Sequence, residues 1–424
     1  VQIVGTQPIT LQQSLELAQR NSEQLRIAQL QLDRQRSVLD EARAALYPTL
    51  EFNSNFTGTE NSTRQSSSLT NRFAGIDPIE LNWSNTLQLA YDLGISGQRS
   101  AQIRAAEAQV RFQELQVETV AEQLRLDVSS AYYDLQQADE QVRISRATLE
   151  QSLQNLRDTQ ALERAGVGTR FDVLSAQVDV ANSQQDLNQR LSDQQTARRQ
   201  LARLLIIPEN VAIVAADPVR VAEPWTLSLE DSIVLAYRNR AELEQQLVQR
   251  EINDQQRQVA LSSIRPNISV FANYNANNQL NAGTGFNNFY QFGAQLRWSI
   301  FDGGSARAQA AQQERNIEIA ESQFADNRSQ VRFQVEQAYN SLQSNSANIG
   351  TTTLALSQAQ EALRLARLRF QAGVGTQTDV LRSQTDLTRA EVNQVNAIIG
   401  YNRSLVQLKR AISNWPQGNL AESP

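Results

Sequence analysis

Two carboxylates stand out by position. Asp172 and Asp379 each follow a threonine by three residues, Thr169 and Thr376, and each threonine closes a glycine-rich pentapeptide. The pentapeptides are Ala165-Gly166-Val167-Gly168-Thr169 and Ala372-Gly373-Val374-Gly375-Thr376. The spacing fits a local chemistry: Thr-x-x-Asp is a helix-capping pattern, in which hydroxyl and carboxylate satisfy backbone N–H groups that the first turn leaves free. The glycines Gly166, Gly168, Gly373 and Gly375 permit positive φ and a tight reversal between antiparallel helices. They also leave a surface bare of side chains, on which the tip of another helical hairpin packs closely. Making the turn is an equally good use of each one.

Other reactive chemistry is scarce. The 424 residues contain no Cys, no His and no Met, one Lys (Lys409) against 38 Arg, and 55 Gln. Without Cys there is no disulfide, thiolate nucleophile or Cys-based metal site. Without His the commonest general base and metal ligand are missing. A Ser-His-Asp hydrolase, a zinc enzyme and a His-ligated haem protein are therefore excluded. The remaining acidic residues sit at helix spacing among Arg partners, which reads as surface pairing. No enzyme activity, cofactor or metal centre is expected. A net charge of −6 gives no basic surface for nucleic acid. The chain begins at Val1, so a segment ahead of it is expected to have been removed, as a cleaved export signal would be.

The elements that position the two turns repeat. Asp172-Val173-Leu174, Gln177 and Asp179 return as Asp379-Val380-Leu381, Gln384 and Asp386, at the offset of 207 that also relates the pentapeptides. Ala18, Asn21 and Pro48 return at an offset of 218 as Ala236, Asn239 and Pro266. The halves therefore differ mainly in one loop between Pro48 and Gly97. Repeat 1–207 is joined through a Pro-marked linker, 208–226, to repeat 227–414, followed by a tail, 415–424.

Within each repeat the order is helix, two strands, very long helix, turn, helix. Helices are expected over 11–46 and 229–264, which lack internal Pro and Gly. Period-two alternation marks strands at about 81–93 and 288–301, with fainter partners at about 49–58 and 267–277. One parity carries Leu with Phe52, Trp83, Tyr91, Tyr290, Phe292 and Trp298; the other carries Asn, Ser, Thr and Gln. A heptad stripe then runs through Leu124, Val128, Ala131, Leu135, Ala138 and Val142 to Leu156, with a matching stripe from Val331 to Leu356. It predicts helices over about 98–163 and 304–371, each about 100 Å long at 1.5 Å per residue. After the turns at 165–169 and 372–376, helices return over 170–207 and 377–414.

No run of about 18 apolar residues exists, so no transmembrane helix is expected. Strands of 10 to 14 residues with one apolar, aromatic-bearing parity match membrane-spanning β-strands, their aromatics facing lipid and their polar parity a wet lumen. Four strands cannot close a barrel, and open edges are not tolerated in lipid. Several copies must pool their strands, and three copies giving twelve suit a tube of long helices around a lumen. A soluble antiparallel coiled-coil bundle with a small β-cap remains the alternative. A pore-forming toxin would also pool strands, but the duplication gives it no support.

The twice-repeated order, with Ala-Gly-Val-Gly-Thr followed by Asp-Val-Leu at each tip, resembles the TolC family of outer-membrane efflux proteins from about residue 10 to 414. The resemblance implies a mixed α and transmembrane β fold. In it a homotrimeric twelve-stranded β-barrel is continuous with a long α-helical coiled-coil barrel that crosses the periplasm. The linker and the tail would form an equatorial region. It implies outer-membrane lipid around the barrel, a periplasmic adaptor docking at Gly166–Thr169 and Gly373–Thr376, and an inner-membrane pump held through that adaptor. It also implies a gate at the tips, with Asp379 and Asp172 as its acidic candidates: a ring of carboxylates there would repel anions, attract cations and make closure sensitive to pH and divalent ions. This sequence departs from the family pattern there. Arg382 stands where some members carry a second acid, and Gln377 where some carry an Arg that ties the closed state. Arg170 could supply a cation near Asp172 or Asp379 instead. Lipoprotein members carry an N-terminal Cys, so no lipid anchor is expected.

Overall fold

A computed structural model describes residues 5–60, 79–208, 211–280 and 285–413. Most of the Asn/Ser/Thr-rich segment 58–80, between the first pair of expected strands, lies outside these residues, as does the tail 415–424. In chain order the elements are β1 (Gly5–Ile9), α1 (Leu11–Asn21), α2 (Glu23–Ala44), β2 (Thr49–Glu60), β3 (Ile79–Asp92), α3 (Gln98–Arg164) and α4 (Arg170–Leu205). Then follow β4 (Val211–Ala215), α5 (Leu229–Asn239), α6 (Ala241–Ser262), β5 (Asn267–Gln279), β6 (Phe286–Arg297), α7 (Ser305–Gln371) and α8 (Gln377–Ile412). The duplication is written in the lengths: α3 and α7 have 67 residues each, α4 and α8 have 36. No helix among the described residues is long and apolar enough to cross a membrane.

The single helices expected over 11–46 and 229–264 are each two. α1 ends at Ser22 (ψ 116°) and α5 at Arg240 (ψ 112°), positions related by the 218 offset. Neither break contains Pro or Gly, so no local breaker announces it. Ser22 closes α1 and its hydroxyl then accepts from Leu25 N at 3.3 Å, opening α2. Arg240 is held open by tertiary bonds: its guanidinium donates to Glu242 and toward the carbonyls of Arg410 and Ala411.

The chain divides into two compact units, the division falling within α3 at Leu115 and within α7 at Phe324. One unit, 31–114 with 245–323, holds an antiparallel sheet ordered β2-β3-β5-β6. Pairing fixes which residues share a face, because facing residues in a ladder point the same way. Phe52, Leu87, Tyr274 and Tyr290 form one cross-strand row; Leu50, Leu89, Ala272 and Phe292 form the next. The intervening residues are mostly amides and hydroxyls. The strand expected over 288–301 stops earlier, at Arg297. Its last pair is with Asn267, and β5 has nothing further to offer because Pro266 before it lacks an N–H.

The other unit holds α1, α4, α5, α8, the later parts of α3 and α7, and a parallel pair, β1 on β4, that the sequence pattern did not announce. Its core gathers the middle of α3, with Val128, Tyr132 and Leu135, against Leu201 and Leu205 of α4 and Ile9 and Ile213 of the strand pair. The α3 stripe is buried from Leu124 to Val142, but Leu153 is 38% exposed. The linker is tied onto α3 and α8. Tyr132 donates its hydroxyl to the Asp217 carboxylate at 2.7 Å and accepts from Asp217 N at 3.1 Å. Burial, with the Asp217 charge beside it, pushes this phenol up. Asn402 of α8 accepts from Ala222 N at 2.9 Å and donates to Arg220 O at 2.8 Å.

Candidate functional site

The two tips are built alike. In the first, the N–H groups of Val167 and Gly168 both return to Leu162 O at 3.1 and 3.0 Å; in the second, those of Val374 and Gly375 both return to Arg369 O at 3.0 Å. The four glycines have two different jobs. Gly166 and Gly373 both sit at φ +74°, the left-handed region in which a side chain is strained. Gly168 and Gly375 have ordinary φ, but a Cβ there would lie 2.9 Å from Glu163 N and 3.0 Å from Phe370 N. The turn is therefore tight in both conformation and clearance. Val167 and Val374 stand 75% and 70% exposed at the two apices.

Thr169 and Thr376 open the returning helices as full capping boxes. Asp172 N donates to the Thr169 hydroxyl at 3.2 Å, while Thr169 N and its hydroxyl donate to the Asp172 carboxylate at 3.1 and 2.6 Å. Asp379 and Thr376 repeat these three bonds, in the same order, at 3.2, 3.1 and 2.7 Å. The hydroxyl and amide of Thr376, joined by the charges of Arg369 and Arg382, hold Asp379 below the usual carboxylate range. Both acids therefore carry the local capping job, and Asp379 keeps its negative charge while exposed.

The other tip candidates fall differently from expectation. Arg170 reaches back across the turn to Glu163, Nη1 to Oε1 at 3.7 Å, rather than to either aspartate. Arg382 is exposed on the second turn of α8 and acts on Asp379 through space. Gln377 is only 5% exposed, and neither atom of its amide has a hydrogen-bond partner within the chain. Sequence reasoning passed over Phe171, 74% exposed beside the first tip, whose counterpart in the second is Thr378.

The hairpins α3–α4 and α7–α8 are linked above the tips by polar bonds. Arg367 of α7 donates to Gln151 of α3 and Gln384 of α8 at 3.3 and 3.1 Å. The hydroxyls of Thr148 and Thr388 meet at 3.1 Å, and Gln137 donates to Asn396 at 2.7 Å. Arg403 pairs with Asp134. Beside Arg367 lies a polar groove of about 510 Å³, lined among others by Asn155, Asp179 and Phe370. Where α5 meets the end of α8, Glu242 is clamped between Arg410 at 2.6 Å and Arg240 at 3.0 Å. Burial pushes this carboxyl up, but the two guanidiniums outweigh it and hold Glu242 below its ordinary value.

The aromatic candidates lie on the sheet's apolar face. Phe52, Trp83, Tyr91, Tyr290 and Phe292 belong to their strands on that parity, while Trp298 lies just past β6 and donates to Ile264 O at 3.1 Å. Trp83 donates to Ser54 Oγ at 3.0 Å and meets Phe286 edge-on at 5.3 Å. No group of three or more His, Cys, Asp or Glu side chains among the described residues could hold a metal ion.

Comparison with known proteins places this geometry. The sequence profile "Outer membrane efflux protein" matches residues 14–205 and 232–414. A pyoverdine export outer membrane protein of Pseudomonas aeruginosa, OpmQ, is 27% identical over 420 residues, covering 96% of this chain and 85% of its own. Outer membrane protein TolC of Vibrio cholerae is 24% identical over 433 residues, covering 96% and 91%. Among solved structures, VceC of Vibrio cholerae superposes with a TM-score of 0.80 at 21% identity, covering 95% of both chains. The Campylobacter jejuni CmeC outer membrane channel gives 0.83 at 15% identity, covering 95% and 85%.

Proposed function

The chain belongs to the outer membrane efflux protein family, and from that premise we propose that three copies form the exit duct of a tripartite export pump, closed at its helical tips and opened by an adaptor. It is an outer-membrane export channel, a passive conduit for its cargo. Its fold is that of the trimeric twelve-stranded β-barrel and α-helical coiled-coil barrel. The apolar face of the sheet, with Phe52, Tyr290 and Phe292, meets outer-membrane lipid, and the helices stand in the periplasm.

The observation that carries the gating reading is the doubled tip. Two reversals with the same bonds, the same capping box and the same bare glycine backbone end two hairpins of equal length. In a trimer they make six tips, on which an adaptor's own helical hairpins dock against Val167, Val374 and the glycines. Between the apolar core, which takes in Val395 and Ile399 of α8, and the tips, the hairpins are linked by hydrogen bonds that water can replace at little cost. Docking at the tips therefore opens the hairpins like an iris without breaking the apolar core around Tyr132. The chain supplies no energy for this; an inner-membrane pump reached through the adaptor does.

Single-channel conductance of the purified protein in planar bilayers tests the reading. A detergent-requiring oligomer that conducts ions is expected, and Asp379→Ala should change conductance or its block by divalent cations. A monodisperse species that is soluble without detergent would overturn the channel. Unchanged conductance with a looser tip would reduce Asp379 to its capping job.

A further inference from the structure

The inward face of the sheet carries a pattern of its own. On that face three consecutive cross-strand rows run across β2, β3, β5 and β6. Every position in them is Asn or Gln except four: Glu51, Ser84, Thr86 and Phe289. The row on either side contains no ionisable residue either. The remaining charges of this face, Glu80, Asp92 and Arg297, lie in the end rows. The Asp92 carboxylate accepts from Gly94 N and from the side-chain Nδ2 of Asn267 at 2.6 Å each. Glu51 is exposed, and one uncharged row, Thr49 to Gly293, separates it from the row that holds Asp92.

We infer that the barrel holds a selectivity element separate from the tips: a ring of three Glu51 carboxylates, one from each copy, set in an otherwise uncharged wall of amides. The inference rests on the channel reading above, because only barrel closure turns this face into a lumen wall. The opposite face is fixed to lipid by its rows of Leu, Phe and Tyr, so the amide rows have nowhere else to face. Primary amides carry no net charge at any pH and accept or donate hydrogen bonds alike, so they do not sort permeants by sign. Glu51 does. With no cation on the neighbouring rows to neutralise it, each carboxylate adds to a negative potential along the axis. The reach of that potential is the Debye length, about 30 Å at 0.01 M salt and about 3 Å at 1 M. A lumen-wide effect is therefore expected at low salt and none at high salt.

Two measurements in planar bilayers test this. Under a salt gradient near 10 mM, Glu51→Gln should lower the cation-over-anion permeability ratio by about twofold or more, with the difference gone near 1 M. The change should persist when Asp172→Asn and Asp379→Asn are already present. The chain has no Cys, so a single Glu51→Cys variant can be labelled cleanly. An anionic methanethiosulfonate reagent should restore the cation preference and a cationic one should invert it, while Leu50→Cys, on the other face, should respond to neither. A wild-type protein that does not conduct would sink the channel reading itself. Conducting channels whose ion preference ignores Glu51→Gln at low salt would overturn the ring, and a response of Leu50→Cys alone would overturn the face assignment.

Discussion

Arg410→Leu is the perturbation whose size the structure defines best. Arg410 is 10% exposed and its Nη2 lies 2.6 Å from Glu242 Oε1; Arg240, 8% exposed, holds the other oxygen at 3.0 Å. Removing one member of a buried ion pair costs about 3–5 kcal/mol when the other is stranded. Here Glu242 keeps Arg240 and is itself 22% exposed, so about 2–3 kcal/mol is expected. The cost falls on the end of α8, because Arg240 also reaches the carbonyls of Arg410 and Ala411 from the same clamp. Hydrogen exchange of the last two turns of α8 in the intact trimer reads it directly. At about 1.4 kcal/mol per tenfold, exchange should accelerate about 30- to 150-fold. Adding Glu242→Gln strands the 8% exposed Arg240 guanidinium without a counter-charge, so the double variant should exchange faster than Arg410→Leu alone. Acceleration of only a few-fold, or a double variant slower than the single, would refute the clamp.

Four further outcomes follow from the same geometry. Glu242 is held below its ordinary value, so its contribution is complete at neutral pH and disappears as pH falls through that lowered value; α8-end exchange relative to the unfolded chain should rise in acid, below the ordinary carboxylate range, in wild type and not in Glu242→Gln. Thr376→Ala removes a capping hydroxyl and should loosen the first turn of α8 by about 1 kcal/mol in exchange measurements. It leaves the Asp379 charge in place, so channel block by divalent cations should follow Asp379→Asn and not Thr376→Ala. Gly168→Ala places a methyl against Glu163 N and Gly166→Ala strains a left-handed residue, so each should loosen the first tip by about 1–2 kcal/mol and weaken adaptor capture. Gly293→Ala brings a methyl 3.1 Å from Phe271 Cζ and must push that ring toward the lumen; a lower single-channel conductance with an intact trimer is the expected sign.

What the sequence made legible was what is local or periodic. The Thr-x-x-Asp pairs could be read as caps because the bonds span three residues, and the strands because side chains alternate whatever they pack against. The heptad stripe located the core of α3 for the same reason. The break at Arg240 was hidden because it depends in part on the end of α8, 170 positions away, and the one at Ser22 because a single serine that caps three residues on does not stand out in a helical run. β1 and β4 are five residues each and exist only by pairing across about 200 residues. Arg170 was misassigned for a geometric reason, since the tight turn brings Glu163 nearer than either aspartate. Gln377 reads as a polar surface residue, and only packing shows its amide enclosed without partners. Glu51 escaped because β2 alternates weakly, and its solitude emerges only when four strands are set in register.

The strand order has a genetic consequence. β3 and β5 pair at the middle of each chain's sheet, which leaves β2 and β6 as its two unlike edges. With an odd number of copies, like-with-like pairing cannot close a ring, so every joint must set β6 of one chain against β2 of the next. Each chain thus lends a different edge to each neighbour, and one spoiled edge opens the whole ring to lipid. In a cell making normal and edge-defective chains equally, only about one-eighth of random trimers would be free of the defect. Alleles that damage β2 or β6 should therefore be dominant, whereas those that prevent the chain from folding should be recessive.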